Sequence, residues 1–135
     1  MMLLGAAYAG TAIENSMLGA AHSAANPLTA HFGVVHGEAV GVMLPHIIRY
    51  NSALPEIARI YESLFDGDLA DRMSELLWEA RMPLNIKGNG VTSEVIPELA
   101  KMASQQWTAQ FNPRPVAQND FESLYASALE STRTP

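Results

Sequence analysis

Hydrophobic positions along this chain recur at helical spacing, and the strict alternation of a half-buried strand is almost absent. Residues 1–25 are rich in Ala, Leu and Met, which favour helix. Pro27 is expected to open the following turn or helix, and Gly33 and Gly37 to punctuate what comes next. His36 to Asn51 reads as a second buried helix, kinked or broken at Pro45. Pro55 to Phe65 places Ile57, Ile60, Tyr61 and Leu64 on one face, and Asp68 to Met82 does the same with Leu69, Met73, Leu76 and Leu77. Pro83 should stop that helix. Lys87 to Gly90 reads as a loop, and Thr92 or Ser93 as the cap of a helix reaching about Trp107. A second loop, Asn112-Pro113-Arg114-Pro115, precedes a last helix from Asp120 to Leu129. The pattern predicts an all-α helical bundle, one domain over residues 1–135.

Charge changes this picture. Residues 1–48 carry only Glu14 and Glu38, so 20 of the 22 charged residues lie from Arg49 onward. A segment so poor in charge is expected to be buried on most sides. Met1 to Ile13 has no polar stripe. Its expected neighbour is another domain or subunit, which marks the chain as a fragment. The stretch lacks the basic start of a secretion signal and is too small-residued and mixed for a membrane span. A cytoplasmic protein is therefore expected.

Composition removes several chemistries. A net charge of −6 argues against nucleic acid, which demands a basic surface. With no Cys, disulfides, thiolate metal sites and cysteine nucleophiles are excluded. No Gly-rich nucleotide cradle or nucleophile elbow is present.

Histidine is distributed opposite to charge: His22, His31, His36 and His46 fall within 25 residues. Imidazole is the commonest metal ligand, although a neutral His also fills polar niches in a core. On one unbroken helix the 14 residues between His22 and His36 would span about 21 Å, so sharing an ion demands that the chain turn back between them. Pro27, Gly33 and Gly37 supply the breaks. Two ligands are still too few for a catalytic divalent site, and Glu14 and Glu38 read as surface or capping residues. His31 and His46 read as packed or structural. Trp107 and Phe111 read more readily as core than as a pocket wall, and Arg114 as a loop anchor or a cofactor contact.

The run Gly10-Thr11-Ala12-Ile13-Glu14-Asn15-Ser16-Met17-Leu18-Gly19-Ala20-Ala21-His22 resembles the first histidine signature of the iron-containing (group III) alcohol dehydrogenases. His36-Gly37-Glu38-Ala39-Val40-Gly41-Val42-Met43-Leu44-Pro45-His46, followed by Arg49-Tyr50-Asn51, resembles the second. Arg81-Met82-Pro83-Leu84, Gly90-Val91 and Asn112-Pro113-Arg114-Pro115 recur in the family's order. The resemblance covers nearly the whole chain. It implies the helical carboxy-terminal domain of the dehydroquinate synthase-like fold, without the α/β domain that binds NAD(P).

The same resemblance implies a metal held by an Asp and three His, of which His22 and His36 match two. The Asp and the third His would lie upstream. Such enzymes use Fe²⁺, or sometimes Zn²⁺, as a Lewis acid on the alcohol oxygen before hydride passes to the nicotinamide. Many members carry a further His four residues after the first signature histidine. Here that position is Asn26, which can contact substrate or cofactor by hydrogen bonds but cannot relay a proton. The expectation is the metal-binding half of an NAD(P)-dependent alcohol dehydrogenase, probed by a small alcohol or carbonyl substrate, homo-oligomeric and inactive alone. The alternatives are maleylacetate-type or other carbonyl reduction on the same fold, and a non-catalytic helical interaction module.

Overall fold

A computed structural model describes residues 1–131. These form seven α-helices: α1 (Met2–Ser16), α2 (Ala20–Phe32), α3 (His36–Asn51), α4 (Pro55–Leu64), α5 (Leu69–Glu79), α6 (Ile96–Ser104) and α7 (Gln118–Glu130). Three short 3-10 turns, Lys87–Asn89, Ser93–Val95 and Trp107–Phe111, lie between them, and no strand occurs among the described residues. The all-α expectation holds.

The core lies where α2, α3, α6 and α7 meet. Small residues of α2 (Ala20, Ala24 and Ala25) are completely buried, which lets neighbouring helices approach closely around Leu28. Ala39 and Met43 of α3, Leu99 and Ala100 of α6, and Phe121 and Tyr125 of α7 complete the cluster. The Tyr125 hydroxyl donates to the Ala24 carbonyl at 2.6 Å, so the largest buried side chain leaves no unpaired polar atom of its own. Burial pushes that phenol well above its ordinary range, which keeps it a donor. Against α5, Gly41 brings α3 so close that a Cβ there would stand 2.9 Å from a methyl of Leu77.

Several boundaries differ from the sequence reading, each for a local reason. Pro27 does not open an element; it sits buried inside α2, whose packing outweighs the one backbone bond that proline forfeits. Pro45 is likewise contained within α3. The fifth helix ends at Glu79, before Met82, because Arg81 turns into the left-handed region at φ 57°. Neither Thr92 nor Ser93 caps α6; Ser93–Val95 forms a 3-10 turn that feeds into it, and the helix stops at Ser104. The last helix begins at Gln118, with Asp120 in its first turn accepting from the Ala117 amide at 2.8 Å.

The largest departure is α1. Every residue from Met1 to Ser16 is exposed, with Leu3 at 88 % and Tyr8 at 68 %, although the charge-poor start reads as buried. The neighbour that such a surface demands is not among the described residues. No helix there is long and apolar enough to cross a membrane.

Candidate metal centre

α2 and α3 pack against each other and are joined by the three-residue turn Gly33–Val35. Gly33 lies at φ 65°, the left-handed conformation that lets a helix end and the chain reverse; its amide donates to the Leu28 side of that last turn. The reversal anticipated between His22 and His36 is therefore made at Gly33. His36 is the first residue of α3, exposed, while His22 lies half-buried on the first turn of α2.

The two imidazoles meet with ring centres 5.4 Å apart and planes inclined at 49°. Two imidazoles bound tetrahedrally to one ion through nitrogens at about 2 Å hold their ring centres about 5 Å apart. The observed spacing fits that requirement. Burial first, and the neighbouring His36 second, lower the His22 pKa below its ordinary 6.5. Neutral imidazole is the form that ligates metal, so this environment favours the ligating state near neutral pH.

No group of three or more His, Asp or Glu side chains able to hold a metal ion occurs among the described residues. Glu14 is exposed on α1, and Glu38 sits in the first turn of α3, where a negative charge suits the helix dipole. By itself the pair offers fewer ligands than a catalytic divalent site needs.

The remaining candidates separate cleanly. Asn26 stays on the His22 face of α2, one turn on, and its Nδ2 donates to Gln106 Oε1 at 3.0 Å. Thr29 follows on the same face, and its hydroxyl is buried without a partner. His31 is exposed, nine residues along α2 from His22, or about 13 Å. His46 lies ten residues beyond His36 on α3 and borders a separate cleft of roughly 370 Å³ with Arg49, Leu77 and Ser127. Neither joins the pair.

Trp107 and Phe111 are not core. They stand 58 % and 42 % exposed and meet edge to face at 5.7 Å between ring centres. Arg114 anchors its loop: its guanidinium donates to the Tyr50 carbonyl at 2.6 Å and lies 3.7 Å over the Tyr50 ring.

The sequence reading missed a polar seam beside the histidines. The amide of Ala20 donates to Asn112 Oδ1 at 3.4 Å, the hydroxyls of Ser23 and Thr108 bond at 2.7 Å, and Asn26 reaches Gln106. Asn112 also donates to Asn51 Oδ1 at 2.7 Å and to the Arg114 carbonyl at 2.7 Å, tying α2, α3 and the Asn-Pro-Arg loop together. The available signal was the polar spacing Ser23, Asn26 on an otherwise Ala-rich helix.

With this geometry in hand, comparison with known proteins is informative. Residues 1–129 match the family described as Fe-containing alcohol dehydrogenase, C-terminal. The lactaldehyde reductase of Escherichia coli (strain K12) is 32 % identical over an alignment 140 positions long that covers 94 % of this chain and 37 % of the relative. Maleylacetate reductase 1 of Cupriavidus pinatubonensis is 28 % identical over 133 residues, 97 % of this chain and 37 % of the relative. Among solved structures, an alcohol dehydrogenase from Oenococcus oeni superposes with a TM-score of 0.75 at 29 % identity, covering 89 % of this chain and 35 % of that one. The chain thus spans little more than a third of the length of the curated relatives it matches.

Proposed function

The chain belongs to the iron-containing alcohol dehydrogenase family, and we propose that it is the metal-binding helical part of an NAD(P)-dependent enzyme interconverting a small alcohol and its aldehyde or ketone. The observation that carries this reading is the 5.4 Å approach of His22 and His36 across the α2–α3 turn. His22 and His36 would hold part of the coordination of Fe²⁺ or Zn²⁺, which would supply Lewis acidity at the substrate oxygen, and hydride chemistry would come from NAD(P) held mainly outside this chain.

The chain's own residues do the rest of the positioning. His22 and His36 offer two imidazole nitrogens from helices, the preferred platform for a metal site. An Asp and a third His would come from outside the described residues. Asn26 presents a carboxamide oriented by Gln106, able to hold a hydroxyl or carbonyl of substrate or cofactor. Because an amide does not titrate, proton release must run through another group or through water. The exposed α1 is also what a helical interaction module would display, yet paired imidazoles at metal spacing favour the enzyme reading.

The test uses the intact natural protein. Chelation should abolish alcohol-dependent reduction of NAD(P)⁺, and Fe²⁺ or Zn²⁺ should restore it, but not in a His22→Ala variant. Oxidation indifferent to chelation would overturn the reading.

A further inference from the structure

We infer that the segment Gln106 to Asn112 is a positioning element for the metal half-site, with Thr108 as its central residue. This rests on the metal reading above. Three successive positions on α2 bond to three positions of that segment in antiparallel order: Ala20 to Asn112, Ser23 to Thr108 and Asn26 to Gln106. The i, i+3, i+6 spacing steps each contact about 60° around the helix, so the three wrap about 120° of its surface and together oppose rotation about its own axis. His22 lies between the first two of them.

Rotation matters here because imidazole pairing is geometric. A helix turns 100° per residue, and the His22 ring must face His36 across the turn for one ion to reach both. Apolar contacts of α2 cannot set that angle sharply, since its buried face is largely Ala and offers little shape to key against. The Ser23–Thr108 bond can: both residues are buried, at 0 % and 3 % exposure, where a hydroxyl left unpaired is costly. At the amino end of α2 the lock is doubled, because Asn112 is itself held by Asn51 at 2.7 Å from α3, the helix that bears His36. One side chain thus references both histidine helices. Gly19 contributes by omission: a Cβ there would stand 3.3 Å from Asn112 Oδ1 and crowd the contact.

The experiment compares the full chain with Thr108→Val, Thr108→Ser, Gln106→Ala and Leu124→Ala. Two readouts are taken: cross-relaxation between the His22 and His36 rings by NMR, and Zn²⁺ affinity by competition. Thr108→Val should lose the inter-ring cross-peaks and weaken Zn²⁺ about tenfold, the lower end of what outer-shell partners contribute. Thr108→Ser, which keeps the hydroxyl, should retain both. Gln106→Ala, at the half-buried end of the seam, should show a smaller loss in the same direction and keeps the test open should Thr108→Val not fold. Leu124→Ala, in α7, should lower thermal stability while preserving the ring contact.

Thr108→Val and Gln106→Ala with native cross-peaks and native affinity would overturn the inference. So would equal losses in Leu124→Ala, since stability alone would then explain them. If the native chain binds no Zn²⁺ while its cross-peaks respond as expected, the positioning stands and only the metal reading fails.

Discussion

Alanine at either His22 or His36 should cost the chain most of its Zn²⁺ affinity, about a hundredfold or more, which is the upper end of what even an outer partner contributes. Each ring is half of a two-ligand site, so removing one leaves a single imidazole with no convergent neighbour among the described residues. The two losses should not add, because the double variant has no site left to lose. Calorimetric titration of the native chain and the three variants checks this. Alanine at His31, by contrast, should leave the affinity unchanged, since that side chain is exposed about 13 Å along α2.

The same site carries a pH signature. The folded environment lowers the His22 pKa below 6.5, chiefly by burial, so the fold binds that proton less readily than the unfolded chain does. Stability from the neutral ring is therefore fully present above pH 6.5 and is lost progressively as the pH falls from there through the lower folded value. Zn²⁺ affinity should decline in the same direction, because protons compete for the ligating nitrogens. Its decline should start lower than a free imidazole would dictate.

The second large effect belongs to α1. A fifteen-residue helix with no buried residue exposes Met2, Leu3, Leu4 and Tyr8, the kind of apolar surface that drives association. The chain should self-associate with rising concentration and bind a hydrophobic dye. Replacing Leu4 by Glu and Tyr8 by Lys places opposite charges one helical turn apart, which supports the helix while breaking the apolar surface. That double variant should sediment as a monomer with dye binding lost. Its melting should barely move, since exposed positions typically change stability by no more than about 0.5 kcal/mol. A native chain that is monomeric and dye-free at all concentrations would contradict the assignment.

What the sequence disclosed and withheld follows from range. Helix α3 was legible from His36 to Asn51, and α4 nearly to the residue, because local periodicity and Pro55 at a helix start are read within a few positions. The pairing of His22 with His36 was legible as a demand for reversal, and Gly33 met it. Pro27 was misread because its cost is local while its compensation, burial against the rest of the bundle, is not. The lack of a polar stripe from Met1 to Ile13 reads as a demand for cover, and the described residues provide none. Trp107 and Phe111 read as core by their hydrophobicity alone, whereas the 3-10 turn holding them points Thr108 and Ala109 inward and leaves both rings exposed. The seam from Asn112 to Ala20 spans 92 positions in sequence, and no periodicity reports a bond of that range. Glycine, asparagine and threonine at such places look like ordinary loop residues until the fold joins them.

The central claim is that His22 and His36 bind one ion together. The most direct test is an NMR titration of the histidine side-chain nitrogens with Zn²⁺, resolving all four rings. His22 and His36 should shift in concert and saturate together at one equivalent, with His31 and His46 unmoved. Independent shifts of the two rings, or a response centred on His31 or His46, would contradict it.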